Sequence, residues 1–376
     1  MSERRSHGLA RQVVVSRALG PTTIERHGRE VINFGSNDYL GLAWHSDLVR
    51  AGFQNTALPS KFGSGASPLV TGHTQIHADL VSAISAFEGT ETAIVFSSGY
   101  AANLGTVAAI ASKDDVIFSD SLNHASLIDG CRLSRAKVVV YPHCDMASLR
   151  QLVQAHRQRG KFAFVVTDSV FSMDGDLAPL CEIEKLCQEF DMQCIMDEAH
   201  ATGVYGNVGR GLAEHLEVPL ERLIRIGTLS KAVGCIGGFV SGNPLLIDWL
   251  SNHARSWIYS TATPIPNAAA AIRALSLVQS MDQQRRELRQ KSTTIRSKLG
   301  ELGLRVGHGD SPIIPVYFRE AIEVVEKSRR LLELGIYVPA IRPPTVPRGN
   351  SLLRISLSTS HSEHELNRLT SAFGQF

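Results

Sequence analysis

The feature that most constrains this chain is an alternation through its middle. Short apolar runs, AIVF (93–96), DVIF (115–118), KVVVY (137–141), FAFVVTDS (162–169), QCIMD (193–197) and RLIRIG (222–227), are separated by helix-like patterns. FAFVV is continuously apolar rather than alternating, which a strand requires when both faces of its sheet are covered. In the stretch 73–88, Ile76, Leu80, Ile84 and Phe87 recur at helical spacing and give an amphipathic face. Strands alternating with such helices predict an α/β fold, a mostly parallel central sheet wrapped by helices. A helical stretch over 266–302 follows, and then the strand-like segments PIIPVYF, IYVPAI and LLRISLS. This pattern predicts a smaller C-terminal α+β domain at 301–376, after a large domain at 61–300. The segment 1–60 contains the short β pattern VINF and is expected to pack with the small domain.

Composition narrows the function classes. A length of 376 residues suits about two or three domains. The balance of 38 basic against 36 acidic residues, net +2, argues against a binder of nucleic-acid backbone. Hydrophobic content of 43% and charged content of 20% exclude disorder as the main state. There is no apolar run of about 18 residues, so no spanning helix and no membrane partner are expected. MSERRSHGLARQ has no apolar core before a small-residue cleavage site, so no secretory signal is read there. Cysteines stand at 131, 144, 181, 187, 194 and 235 with no C-x-x-C pair. Cys181, Cys187 and Cys194 read as small buried hydrophobes rather than metal ligands, and no metal is expected. A reducing cytoplasm suits them.

In open α/β sheets the site lies beyond the carboxyl ends of the strands, and there the polar residues gather. AIVF is followed by Ser97-Ser98-Gly99-Tyr100, and DVIF by Ser119-Asp120 and Asn123-His124. FAFVVTDS leads to Phe171-Ser172-Met173-Asp174-Gly175, QCIMD to Asp197-Glu198-Ala199-His200, and RLIRIG to Thr228-Leu229-Ser230-Lys231. An acidic strand end can hold magnesium in a P-loop NTPase. That requires a Gly-rich loop ending in Gly-Lys-Ser/Thr, whereas the one Gly-Lys pair, Gly160-Lys161, precedes Phe162. The other reading is a pyridoxal phosphate site. That cofactor needs a lysine amine, an acidic partner for its pyridine nitrogen and donors for its phosphate. Lys231, Asp197 and the helix start at Ser98-Gly99-Tyr100 supply candidates for each.

Several segments resemble the α-oxoamine synthases, a branch of the fold-type-I pyridoxal phosphate enzymes. They are SNDYLGL (36–42), FSSGYAAN (96–103), SLNHASLIDG (121–130), VFSMDGDLAPL (170–180), MDEAHATGVYGNVGRG (196–211) and TLSKAVGCIGGFVSG (228–242). The similarity runs over 11–371 with the motifs in order. It implies a fold-type-I pyridoxal-phosphate-dependent transferase, and roles residue by residue. Lys231 matches the lysine that carries the cofactor and acts as base, and Asp197 the partner of the pyridine nitrogen. His124 matches the histidine stacked on the ring, which also reaches substrate. His200 and Ser172 match polar contacts near the phenolic oxygen. Ser98, Gly99, Tyr100, Thr228 and Ser230 match phosphate or ring-side contacts. Ser260 and Thr261 resemble the segment that reaches the neighbouring subunit's phosphate, which implies a homodimer with shared sites.

Arg354 matches the arginine that grips the amino-acid carboxylate, with Asn37 assisting. Arg11 and Thr345 match contacts to the acyl substrate. Gly63-Ser64-Gly65-Ala66-Ser67 matches a Gly-rich loop by the thioester channel, followed here by Pro68 where other members vary. Within the family, IRPPTVP (341–347) resembles the version in the member that joins L-alanine to a pimeloyl thioester, on coenzyme A or a carrier protein, with loss of CO2. The runner-up is the member that uses glycine and an acetyl thioester.

Overall fold

The computed structural model describes residues 9–54, 62–158 and 160–376. The segment on which the leader reading mainly rests, residues 1–8, lies outside the described residues, as do 55–61 within the expected N-terminal segment. In chain order the strands are β1 Ser16–Ala18, β2 Thr23–Arg26, β3 Arg29–Asn33, β4 Thr92–Phe96, β5 Val116–Asp120, β6 Lys137–Tyr141 and β7 Ala163–Asp168. They continue as β8 Gln193–Asp197, β9 Leu223–Thr228, β10 Gly238–Gly242, β11 Ile313–Phe318, β12 Ile336–Tyr337, β13 Ala340–Ile341 and β14 Ser351–Ser356. The chain divides into two units. One holds the described residues up to Trp44 with Ser172–Asp176 and Gln283–Phe376, and the other His45–Phe171 with Leu177–Asp282.

The larger unit is built on a seven-stranded sheet in the order β4-β10-β9-β8-β7-β5-β6. The pairs β5–β6, β5–β7, β7–β8 and β8–β9 are parallel, and β10 runs antiparallel to both its neighbours. Every residue of β5 and β7 is buried, which is why their sequences do not alternate. The edge strand β6 leaves Val138 and Val140 exposed. Helix Gln75–Glu88 starts at a capping box between Thr74 and His77 and stops at Gly89, which is left-handed. Helix Gly99–Ile110 starts where the Ser98 hydroxyl accepts from Ala101 N. Val107, Leu127 and Leu250 pack with Ile94, Phe96, Val166, Ile195 and Ile226 of the sheet in one core.

The smaller unit carries a four-stranded sheet, β1-β2-β3-β12, and a three-stranded antiparallel sheet, β11-β14-β13. Strand β14, in the middle of the latter, is buried throughout although it contains Arg354.

Several elements differ from their sequence reading. The helical stretch 266–302 is two helices, Ile265–Gln279 and Asp282–Glu301, because Ser280 N and Met281 N close a turn on Leu277 and Val278 carbonyls. The first belongs to the larger unit. Arg296 ties the second to the smaller one by donating to the Gly307, Ser311 and Ile313 carbonyls at 2.7, 3.0 and 2.5 Å. At the other end, helix Ser46–Gln54 sides with the larger unit. Arg273 clamps Asp47 at 2.5 Å, and a Cβ on Gly52 would lie 3.1 Å from the Pro266 carbonyl. The divisions thus fall at 44/45 and 282/283 rather than at 60 and 300. IYVPAI is two short strands: β12 pairs with β3 and β13 with β14. Cys187 and Cys194 are buried, but Cys181 lies on the outer side of helix Leu180–Glu189 and is exposed.

Candidate active site

Two groups of candidate residues form, one in each unit. In the larger unit Asp197 ends β8, buried. Its Oδ1 accepts from Ala199 N at 2.8 Å, and its Oδ2 accepts from Asn103 Nδ2 at 2.5 Å. Ser169 holds the Asp197 carbonyl through its N at 2.9 Å and its hydroxyl at 2.8 Å. Both carboxylate oxygens are thus held by N–H donors, an arrangement that suits a partner for a pyridine nitrogen. Asp168, its register partner on β7, accepts from His124 N at 2.7 Å. Burial, and then the Asp197 charge, push the Asp168 carboxyl well above the usual carboxylate range. His200, three residues beyond Asp197, is buried.

Lys231, half-buried, sits in a tight loop between β9 and β10. Thr228 Oγ1 donates to the Gly237 carbonyl at 2.8 Å, as does Ser230 Oγ at 3.1 Å, and Ser230 N donates back to Thr228 Oγ1 at 3.2 Å. Gly234 N closes on the Lys231 carbonyl at 2.9 Å. This web fixes the backbone that carries the amine. The loop lies directly against the start of helix Gly99–Ile110. A Cβ on Gly238 would come within 2.5 Å of the Ser98 carbonyl and 2.7 Å of Gly99 Cα, and one on Gly99 within 3.2 Å of Thr228 Oγ1. Glycine is needed at 238 because two backbones touch there. Ser98, Gly99, Thr228 and Ser230, remote in sequence, are thereby brought together at a helix N-terminus, where the first N–H groups suit a phosphate.

His124 caps helix Ala125–Ser134 with its own ring: Nδ1 accepts from Ser126 N at 3.3 Å. Burial lowers its basicity and the Lys231 charge lowers it further, against the pull of Asp197. Tyr100 meets it edge-on, with ring centroids 6.3 Å apart at 77°, and donates its hydroxyl to Asp129. Ser260 and Thr261 follow the short helix Arg255–Ile258. The next residue, Ala262, donates from N to the Ala66 carbonyl at 3.0 Å, which sets this segment beside the Gly-rich loop. In that loop Ser64 is buried, donating to the Thr263 carbonyl at 2.5 Å.

In the smaller unit Arg354 projects from β14, buried. Its Nε donates to the Ser172 carbonyl at 2.5 Å, and its Nη1 to Asn37 Oδ1 at 3.0 Å and Ser356 Oγ at 2.7 Å. The structure therefore puts Ser172 with Arg354 through its main chain. Arg11 Nη2 donates to Thr345 Oγ1 at 2.6 Å, joining the two residues assigned to the acyl substrate.

Sequence reasoning missed Asn103, Ser126 and Asp168. Each lies inside a segment singled out above: Asn103 is the polar end of FSSGYAAN, Ser126 follows the histidine of SLNHASLIDG, and Asp168 closes the apolar run of β7. A buried polar residue in an apolar element was the available signal.

A mixed sheet with its lysine loop, buried aspartate and phosphate cradle at the strand ends defines a fold-type-I pyridoxal phosphate enzyme. The chain belongs to the family described as aminotransferase class I and II, whose model matches residues 29–373. It is 43% identical over 377 residues to the 8-amino-7-oxononanoate synthase of Geobacter sulfurreducens, covering 100% of this chain and 96% of that one. Among solved structures it is similar to a serine palmitoyltransferase from S. paucimobilis with PLP and myriocin bound. The TM-score is 0.94 at 28% identity, covering 100% of this chain and 94% of that one. It is also similar to the 8-amino-7-oxononanoate synthase of Francisella tularensis, with a TM-score of 0.77 at 29% identity, covering 92% and 97%. The cofactor is pyridoxal phosphate, and the donor-held carboxylate and backbone cradle fit its two ends.

Proposed function

We propose that this chain forms 8-amino-7-oxononanoate from L-alanine and a pimeloyl thioester, releasing CO2 and the thiol, in biotin synthesis. The observation that carries this reading is the 43% identity to a named relative along the whole chain. Asp197, Ser98, Gly99, Thr228, Ser230 and Lys231 would hold the cofactor, with His124, Tyr100, His200 and Ser172 at its ring. Pyridoxal phosphate supplies the electron sink that makes a proton on alanine Cα removable.

The chain's own groups then act in order. Arg354 binds the alanine carboxylate with a guanidinium whose fork Ser172, Asn37 and Ser356 hold in place. The Lys231 amine takes the Cα proton. Cα bonds to the thioester carbonyl carbon, and the thiolate leaves. The alanine carboxyl departs as CO2, and a proton returned to Cα completes the amino ketone. His124 orients the reacting amino acid, and Arg11 with Thr345 meets the acyl chain.

A homodimer with shared sites completes the reading. Phe62, Leu69, Val70 and Tyr259 are exposed beside the Gly-rich loop and Ser260-Thr261, an apolar surface that a second copy would cover. Among the described residues no helix is long and apolar enough to cross a membrane. All six cysteines are free, which agrees with a reducing cytoplasmic compartment. The test is incubation of the holoenzyme with L-alanine and pimeloyl-coenzyme A or a pimeloyl carrier protein. Mass spectrometry should detect 8-amino-7-oxononanoate with one CO2 per thiol released. Thiol release without that product refutes the reading.

A further inference from the structure

We propose that Asn103 and Ser126 are positioning residues that tie the Asp197 carboxylate to the His124 imidazole in one hydrogen-bonded chain and fix His124 as the Nε2–H tautomer. This rests on the reading of Asp197 and His124 as cofactor contacts. Asn103 Nδ2 has two protons and uses both, donating to Asp197 Oδ2 at 2.5 Å and to Ser126 Oγ at 2.9 Å. The opposite amide orientation would set Oδ1 against a carboxylate oxygen, so the carboxylate selects this one. Ser126 Oγ, having accepted from Asn103, is left to donate its own proton, and His124 Nδ1 lies 2.6 Å away. Ser126 N donates to the same Nδ1 at 3.3 Å. A proton on Nδ1 would face that N–H and leave the Ser126 hydroxyl proton without this acceptor. Nδ1 is therefore the acceptor and Nε2 carries the proton.

The chain is dry. Asn103 and Asp197 are 2% and 5% exposed and Ser126 is fully buried, so no bulk water replaces a lost partner. With Oδ1 on Ala199 N and Oδ2 on Asn103, the Asp197 carboxylate cannot rotate. The lowered basicity of His124 agrees with a neutral ring whose Nδ1 is committed. The functional consequence is that Nε2–H is always a donor, never an acceptor, toward whatever lies on the free side of the ring. The electron-sink partner and the ring-side histidine are set by the same two side chains.

The test uses Ser126→Ala, Ser126→Thr, Asn103→Ala and the Asn103→Ala/Ser126→Ala double variant. In wild type, ¹⁵N NMR of labelled histidine should show His124 with Nδ1 unprotonated and Nε2 protonated, with and without cofactor. Ser126→Ala should mix the tautomers, and Ser126→Thr should restore wild-type shifts and rate. Each alanine variant should lose roughly 10- to 100-fold in kcat, the worth of one buried hydrogen bond to a charged network. KM for L-alanine should stay within about threefold, and the double variant should fall little below the worse single one, because both break one unit. If Asn103→Ala does not fold, Ser126→Ala with its threonine rescue carries the test alone. A wild-type tautomer and rate in Ser126→Ala overturns the proposal. Asp197→Asn separates the two levels. If it leaves turnover and cofactor affinity intact, the site reading fails. If it is impaired while Ser126→Ala is not, the hydrogen-bonded chain alone fails.

Discussion

Arg11 and Thr345, 334 positions apart in the chain, are joined by a 2.6 Å hydrogen bond. The neighbouring Arg342 adds a second tie to the same N-terminal strand of chain, donating from Nη2 to the Ala10 carbonyl at 2.5 Å. An irregular segment whose Val13 and Val15 are exposed, and so bury little against the fold, is thus anchored by two arginines to the loop that follows β13. The pair is exposed, so it contributes little to stability, and its value is in what the guanidinium can still bind.

Arg11→Ala should therefore leave the melting temperature nearly unchanged, within the roughly 0.5 kcal/mol typical of surface substitutions. It should raise KM for a pimeloyl thioester by about tenfold, one charge-assisted contact. A monocarboxylic acyl thioester of the same length, which lacks the terminal carboxylate, should lose less. Steady-state kinetics with both donors checks this.

On the proposed reading, Lys231→Ala removes the nucleophile and the base together. Turnover should collapse by several orders of magnitude, and borohydride should no longer fix the cofactor to the chain. Mass spectrometry of the reduced protein reads the second point directly.

Arg354→Lys keeps the charge and loses the fork. The buried arginine satisfies the Ser172 carbonyl, Asn37 and Ser356 at once. An ammonium group cannot reproduce that geometry. L-Alanine binding should weaken by roughly 10- to 100-fold, while the absorbance of the resting cofactor stays as in wild type. A spectral titration with L-alanine measures both.

How much of this was legible in the sequence depends on what surrounds each element. Strands β5, β7 and β8 were legible because strands covered on both faces leave apolar runs. Strand β10, GFVSG, was not, because its glycines read as a turn; Gly238 is there to let the strand touch Ser98 and Gly99. The unit boundaries shifted because helix Ser46–Gln54 and the break at Ser280–Met281 are decided by which partner each helix packs on, and no local pattern records that. Among site residues, Lys231, Asp197, His124 and Arg354 stand in recognisable motifs. Asn103 and Ser126 act only through other side chains, and their role shows only once β8 and the two helix starts are assembled.

His361 gives a pH prediction. Its ring stacks on Phe34 with centroids 4.3 Å apart, Nδ1 accepts from Ser358 N at 2.9 Å, and burial pushes its pKa from 6.5 down to about 4. The folded state prefers the neutral ring. Its contribution is complete above the unfolded value near 6.5, shrinks as pH falls, and is gone below about 4. The window is worth at most about 3 kcal/mol. Asp38, raised to about 6, and Glu88, raised to about 7, tilt the same range the other way, since burial favours their protonated forms. The wild-type curve alone therefore does not isolate the histidine. Denaturant unfolding of wild type and His361→Gln at several pH values should show their stability difference narrowing from pH 7 to pH 4.

The central claim is that this fold-type-I site joins L-alanine to a long dicarboxylic acyl thioester. Its most direct test is kcat/KM for L-alanine, glycine and L-serine, each with pimeloyl and acetyl thioesters. One methyl in an apolar pocket is worth roughly 1–3 kcal/mol, so L-alanine should exceed glycine by about 10- to 200-fold, with pimeloyl the better donor throughout. Glycine with the acetyl thioester as the best pair would contradict the claim.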